Sequence, residues 1–341
     1  MPRYLVTGGA GFIGSHFTEA LLAKGHEVLV LDNLSTGRFA NLEAVRDHPG
    51  FNFVHGSVLD ELAVDKAVRD CDVVVHLAAA VGVKLIVEEP LDSLTTNIQG
   101  AVTVLAAAHR YRRKVLVTST SEIYGKNDAG PLSEQADRIL GSPAVSRWAY
   151  STSKAVDEIL AYAYHRERDL PTIVVRLFNT VGPRQSPAYG MVIPRLLRQA
   201  LAGEPLSVYG DGTQTRCFCH VADAVEALVR LLDEPGAVGE VFNVGSTEEI
   251  SIGDLAQLVL QRTGSSSPVV LVPYEVAYES GFEDMARRVP DTAKIHALTG
   301  WRAERTLADI LDDMLAELAA GGAPVPGPAT GLPAGWAGGD R

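Results

Sequence analysis

The segment Met1–Asp32 restricts what this chain can fold into more than any other stretch. Arg3–Thr7 (RYLVT) is a short apolar run. It stops at Gly8 and Gly9, and glycines recur at Gly11 and Gly14. From Phe12 to Leu22 apolar residues fall at helical spacing, Gly25 ends the run, and Glu27–Leu31 (EVLVL) is a second strand closed by Asp32. Strand, glycine turn, helix and strand in this order make the βαβ unit of a dinucleotide site. Gly8 allows the tight turn, Gly11 lets backbone N–H groups approach a pyrophosphate, and Gly14 lets the helix lie against the sheet. The positive end of the helix then faces the phosphates. Asp32 is placed to accept both hydroxyls of an adenosine ribose and to repel a 2′-phosphate, which predicts NAD over NADP. A glycine-rich turn with no ligand is the plain alternative; the flanking strand, helix and acid argue against it.

Composition narrows the partners. Acidic residues number 42 against 30 basic ones, a net charge of −12, which speaks against nucleic acid or an anionic membrane. A local positive pocket for a phosphorylated ligand is compatible with this balance. No apolar run reaches the ~18–20 residues that span a bilayer, and the N-terminus enters a strand at once, so neither a membrane segment nor a signal peptide is predicted. The cysteines, Cys71, Cys217 and Cys219, are odd in number and lack metal-like spacing, which predicts a reducing cytoplasm. Cys217-Phe218-Cys219 on a strand would put both thiols on one face, more in keeping with buried apolar residues than with zinc or a disulfide. No metal site is predicted.

The pattern after Asp32 keeps alternating. Strands are predicted at Phe51–His55, Val73–Leu77, Val115–Thr118 and Thr172–Leu177, with helices at Ala40–Asp47, Glu61–Arg69, Asp92–Arg110 and around Tyr150 to Glu167. That order implies an α/β fold, a doubly wound parallel sheet with right-handed crossovers. Further on, helices are predicted at Val192–Leu201, Ala222–Leu232, Ile252–Thr263 and Leu307–Leu318, with strands at Pro205–Tyr209, Thr215–His220 and Val241–Val244. The expected organisation is therefore a dinucleotide-binding domain over 1–180, a smaller α/β substrate part over 181–318 with some elements interleaved, and a disordered Gly/Pro/Ala-rich tail over 319–341.

Two clusters carry chemistry. The strand before residue 119 ends in Ser119-Thr120-Ser121-Glu122-Ile123-Tyr124-Gly125, where hydroxyls and one acid suit a sugar hydroxyl better than a core. Tyr150 and Lys154 are four apart in a predicted helix and share one face. An ammonium beside a phenol favours phenolate and lowers its pKa from about 10 toward neutrality. Such a phenol can act as general base on an alcohol while the carbon gives hydride to NAD. Tyr-x-x-x-Lys alone is common on helix surfaces; together with the βαβ unit and the Thr120/Ser121 cluster it reads as catalytic. Ala78-Ala79-Ala80 follows a predicted strand, where small side chains would let the chain pass under a cofactor; a plain helix start is the other reading. Arg216 suits the fork geometry of a phosphate, against a solvated surface arginine.

The motifs TGGAGFIG, STSEIYG, YSTSK, RLFNTVGPR, YGDGTQTR and RRVPD resemble the extended short-chain dehydrogenase/reductase family, the nucleotide-sugar epimerases and dehydratases, over residues 3–318. The resemblance implies a Rossmann-type domain holding NAD through Gly8, Gly11, Phe12, Ile13, Gly14, Asp32, Asn33, Ser57, Val58, Leu77, Ala78, Ala79, Tyr150 and Lys154. Ser57 departs from the family's usual aspartate. It implies catalysis by Tyr150, Lys154, Thr120, Ser121 and Glu122. A UDP-sugar would be held by Lys84, Thr120, Ser121, Asn179, Arg184, Val192, Arg216 and Arg288, with Arg287 the runner-up to Arg288. Many relatives pair as homodimers through helices corresponding to 92–110 and 150–167, and a dimer is expected here.

Within the family, Thr120-Ser121-Glu122 lacks the acid that dehydratases place after the threonine. It looks instead like UDP-glucuronate decarboxylases. Gly82-Val83-Lys84 and Gly182-Pro183-Arg184-Gln185 look more like C4 epimerases acting on uronates, with Arg184 or Lys84 meeting a C6 carboxylate. A 4-keto uronate loses CO₂ readily, so both reactions share Tyr150 and Lys154. The sequence reading favours the epimerase, on UDP-glucuronate or UDP-glucose, with the decarboxylase as alternative and a non-catalytic dinucleotide-binding regulator as a third class.

Overall fold

The computed structural model describes residues 1–81, 90–187, 191–274, 285 and 287–321. The first half alternates as expected. Strands β1 (Arg3–Thr7), β2 (Glu27–Asp32), β3 (Phe51–His55), β4 (Val73–His76), β5 (Lys114–Thr120) and β6 (Thr172–Leu177) are separated by helices α1 (Phe12–Ala23), α2 (Glu61–Arg69), α3 (Pro90–Tyr111) and α4 (Arg147–Arg168). The second half contains β7 (Thr180–Val181), α5 (Val192–Leu201), β8 (Leu206–Tyr209), β9 (Thr215–Cys217), β10 (Cys219–His220), α6 (Val221–Asp233) and β11 (Val241–Val244). It continues with β12 (Glu249–Ser251), α7 (Ile252–Thr263), β13 (Val269–Val272), α8 (Ala293–Thr299) and α9 (Leu307–Ala319).

Side chains explain where the helices begin. Asp60 accepts from the backbone N–H groups of Leu62 and Ala63 at the start of α2, and Ser251 does the same for Asp254 in α7. Thr306 and Asp309 form a reciprocal capping box on α9.

The main sheet is seven-stranded in the order β11-β6-β5-β4-β1-β2-β3, with every pairing parallel. Alternate residues feed opposite faces, and both faces are covered. Val6, Val30, Val75, Leu116 and Val175 pack into one core with Phe17 and Leu21 of α1 and Leu228 of α6. Leu5, Leu31, Val74, Val115 and Val174 pack into another with Val68 of α2 and Val104 and Leu105 of α3. Burial on both sides is why these strands read as continuous apolar runs. A third core forms around the parallel pair β8–β13, from Ile193, Leu197, Leu206, Phe218, Leu255 and Ile310. β11 lies well beyond residue 180 in sequence, yet it completes the edge of the main sheet against β6.

Four local readings need correction or addition. The helix expected at 40–47 is a 3₁₀ turn over Phe39–Val45. The strand expected over 215–220 breaks at Phe218, which is buried in the third core. On either side of it, β9 pairs antiparallel with β12 and β10 pairs parallel with β7, so Cys217 and Cys219 belong to different sheets. The short elements β12, β13 and α8 were not anticipated. The tail expected over 319–341 lies outside the described residues from 322 onward.

Strand order reverses between β1 and β4. In open parallel sheets a ligand binds at the carboxyl ends of the strands beside such a reversal.

Candidate active site

A cleft of about 1050 Å³ runs along the carboxyl ends of the strands and reaches the third core. Its walls include Gly8, Gly11, Phe12, Ile13, Gly14, Asp32, Asn33, Ser57, Val58, Leu77, Ala78 and Ala79 at one end. Thr120, Ser121, Glu122, Tyr150 and Lys154 sit at its centre, and Asn179, Arg184, Val192, Arg216 and Arg288 line the other end. The fold thus brings the sequence candidates to one cavity, large enough for two joined ligands. Lys84 falls outside the described residues.

The dinucleotide end is a tight backbone cradle. Gly8 has φ +71°, and a Cβ there would stand 2.7 Å from the Ala78 nitrogen. A Cβ on Gly14 would stand 2.2 Å from the Gly8 carbonyl oxygen. Any side chain at either position displaces the turn. Gly11 caps α1 without a side-chain bond, so the helix N-terminus is open to an anion. Asp32 is pinned: one carboxylate oxygen accepts from the Ala10 N–H at 2.9 Å and the other from Leu34 N–H at 2.8 Å. These are the elements NAD requires, a phosphate cradle and a fixed acid at the end of β2, and the residues present fit it. Ser57 contacts its own turn, its hydroxyl accepting from Leu59 N–H at 3.2 Å. Sequence reasoning missed Asn41, whose amide donates to the Ala10 carbonyl at 2.9 Å, and Arg38 beside it in the cleft wall. Their only signal was a polar turn following Asp32. Asn97 of α3 was noted without a role. Its side chain accepts from Ala80 N–H at 2.7 Å and donates to the Ser153 hydroxyl at 3.2 Å, tying the alanine turn to α4.

The central cluster differs electrostatically from expectation. Thr120 accepts from Glu122 N–H at 3.2 Å, capping the 3₁₀ turn Ser121–Tyr124. Tyr150 and Lys154 lie on one face of α4, both buried. The Lys154 ammonium bonds the Asp157 carboxylate at 2.7 Å, with side-chain exposures of 2% and 0%. Tyr150 is held well above the ordinary phenol range, first by burial, then by the charges of Glu122 and Asp157; a hydrogen bond with Thr120 works the other way. The expected lowering of the phenol is not what this site shows: burial outweighs it, Glu122 adds to the effect, and the Lys154 ammonium is matched by the Asp157 carboxylate. His76, at the end of β4, bonds Thr7 at 2.8 Å and stays neutral, its pKa pushed down to about 3 by burial and the Lys154 charge.

The third group of residues is cationic. Arg288 donates to Glu122 at 2.5 Å and to the Asn179 side-chain oxygen at 2.9 Å, while the Asn179 amide donates to the Cys217 carbonyl at 2.9 Å. Arg287 instead pairs with Glu249 on the exposed side, so Arg288 is the arginine that faces the cleft. Arg216 is buried, donating to the Thr215 carbonyl at 2.8 Å. Arg184 lines the cleft and has φ +68°. Its guanidinium donates to Glu19 of α1 at 2.7 Å through one nitrogen while the other terminal nitrogen is buried without a hydrogen-bond partner, and its backbone N–H donates to both carboxylate oxygens of Glu317 at 2.9 and 2.8 Å.

Cys71, Cys217 and Cys219 are free and buried, with burial pushing the Cys217 thiol up to about 12. Among the described residues no cluster of metal-ligating side chains occurs. Nor is any helix among them long and apolar enough to cross a membrane.

Known proteins can now be set beside this geometry. The NAD dependent epimerase/dehydratase family matches residues 4–245. UDP-N-acetyl-alpha-D-glucosaminuronate decarboxylase of Bacillus cytotoxicus is 44% identical over 294 residues, spanning 86% of this chain and 90% of that protein. UDP-glucuronic acid decarboxylase 1 of Xenopus tropicalis is 37% identical over 299 residues, spanning 88% of this chain and 68% of that one. The crystal structure of UDP-glucuronic acid 4-epimerase from Bacillus cereus, in complex with UDP-glucuronic acid and NAD, superposes with a TM-score of 0.84 at 30% identity, covering 93% of this chain and 99% of that one. With a dinucleotide cradle, a buried Tyr-x-x-x-Lys face and a matched profile over most of its length, the chain is an enzyme of the NAD-dependent epimerase/dehydratase family.

Proposed function

We propose that the protein decarboxylates a UDP-linked hexuronate through a 4-keto intermediate, returning NAD unchanged at each turnover. The observation that carries this reading is the 44% identity, over most of both chains, with a UDP-N-acetyl-glucosaminuronate decarboxylase. It reverses the preference for an epimerase drawn from the sequence. Thr120-Ser121-Glu122 in the cleft beside Tyr150 supports the same choice.

The residues divide the work as follows. NAD, held by the glycine cradle and Asp32, would supply the hydride acceptor for sugar C4 and later the donor. Tyr150 takes the proton of the C4 hydroxyl, and Thr120 orients the phenol by the hydrogen bond between them. Lys154 supplies positive charge on the same helix face. Arg288 and Arg216 form a cationic wall for the diphosphate, and Asn179 fixes Arg288. Once C4 is a ketone, the C5–C6 bond breaks, its electron pair passes into the C4 carbonyl, and CO₂ leaves. A proton then adds at C5, hydride returns to C4, and the product is a UDP-pentose. The third group of side chains around 181–318 closes the nucleotide-sugar half of the cleft in this reading.

The likeness to the Bacillus cereus 4-epimerase supports C4 epimerisation as the second reading. Incubation with UDP-glucuronate and, separately, its 2-acetamido analogue, with no added NAD, distinguishes them. A product lighter by CO₂, with the gas detected in the headspace, is expected from one of the two. An isomer of unchanged mass with no gas sinks the decarboxylase reading and leaves the epimerase. We further expect a homodimer paired through α3 and α4, where Leu91 and Ile159 are 74% and 61% exposed, working in the cytoplasm, as three unpaired cysteines suggest.

A further inference from the structure

Lys154, in the wall of the cleft, forms a fully buried ion pair with Asp157 behind it, and the family chemistry described above has no use for the aspartate. Among the described residues the charged neighbours on the adjoining turns have partners of their own. Glu158, the next residue of α4, takes a bidentate bond from Arg176 of β6 at 2.9 and 2.7 Å. Glu122, on the turn after β5, is bonded by Arg288. His76 at the end of β4 is neutral and bonded to Thr7. α3 reaches Ser153 of α4 through the neutral Asn97 and puts Asp92, Ser93 and Thr96 in the cleft wall, and β5 adds the hydroxyls of Thr118, Ser119 and Thr120. Among the described residues Lys154 is the cation that Asp157 meets, the Glu158 carboxylate lies close by, and the second oxygen of Asp157 is buried without a hydrogen-bond partner.

We propose that Asp157 is a positioning residue of the oxidation site: its carboxylate holds the Lys154 ammonium at 2.7 Å and sets the net charge that the Tyr150 phenol meets. An ammonium with no counter-ion on this helix face would favour phenolate strongly. Asp157 offsets that charge and so, beside burial and Glu122, helps keep Tyr150 a neutral phenol. The pair also fixes the ammonium against the helix, since Lys154 and Asp157 are three apart on α4. The inference rests on Tyr150 acting as the base, as proposed above.

The sign of the effect follows from charge. Phenolate is the active form of a base, so turnover rises with pH as Tyr150 ionises. Removing an anion nearby favours phenolate and moves that rise to lower pH. Asp157→Asn, with Asp157→Ser as a second neutral variant in case the first does not fold, is compared with wild type in two ways. The near-ultraviolet phenolate signal of the NAD-loaded protein, taken as the difference from the matching Tyr150→Phe background, needs no turnover. The pH dependence of kcat/KM reads the same group in action. Both are expected to shift downward by about one pH unit, whereas Asp157→Glu, which keeps the charge, stays at the wild-type position. A neutral variant that loses activity with its phenolate signal and acid limb unmoved overturns the proposal, as does a shift in Asp157→Glu equal to that in Asp157→Asn. Failure of the wild-type protein to turn over any uronate would instead count against the proposed function, because the optical titration stands without it.

Discussion

Tyr150→Phe is expected to lower kcat by about a thousandfold while the protein still carries NAD. The substitution removes one oxygen from a buried ring and leaves its packing in place. The glycine cradle, the Ala78 turn and Asp32, which form the other end of the cleft, are untouched. Because Thr120 bonds the lost hydroxyl, its own hydroxyl would be left without that partner, a small cost beside the loss of the base. Turnover with the active UDP-uronate and nucleotide content after gel filtration together check this. A kcat within threefold of wild type would remove Tyr150 from the reaction.

The largest stability effect is expected at Arg176, beneath the catalytic turn. Its guanidinium donates to both oxygens of Glu158, to the Tyr124 hydroxyl at 2.9 Å and to the Glu134 carbonyl at 3.0 Å. Tyr124 in turn donates to Asn243 at 2.7 Å, so the network spans β6, α4, the Ser121–Tyr124 turn and β11. Arg176→Met leaves Glu158, almost fully buried, as an uncompensated charge. The cost is about 3–5 kcal/mol, or roughly 4–7 °C in Tm for a chain of this size. Replacing both partners, Arg176→Met with Glu158→Leu, should recover much of the loss, because the stranded charge rather than the missing attraction dominates it. Thermal unfolding of the single and double variants checks this; equal destabilisation of both would show that packing, not charge, is what the pair supplies.

How much of this was readable beforehand depended on how local the signal was. The βαβ unit declares itself because turn, helix and acid are adjacent in sequence and each has a steric or electrostatic reason to be there; the close contacts at Gly8 and Gly14 are that reason seen in space. Both faces of the sheet are buried, which made β1, β2, β4 and β6 continuous apolar words. Tyr150 and Lys154 were found from helical spacing. Their electrostatics were not, because Asp157 lies one turn on and could as well have faced solvent. The partners of Arg184 were not legible for a similar reason: Glu19 and Glu317 lie 165 and 133 residues away in the chain, a distance no spacing rule crosses. The break at Phe218 was hidden because TRCFCH is a good strand by composition, and only the third core, assembled from 181 onward, pulls its phenyl ring out of register. Arg38 and Asn41 sat in a polar turn that looked like any loop.

The central claim is that oxidation and reduction at one carbon enclose the loss of CO₂. It is tested most directly with UDP-glucuronate, or its 2-acetamido analogue, carrying deuterium at C4, incubated with the purified protein and no added NAD. The account predicts a UDP-pentose that keeps the deuterium at C4, together with CO₂, because the same hydride leaves and returns. Release of CO₂ with the label lost to solvent, or a labelled product still bearing its carboxylate, would contradict it.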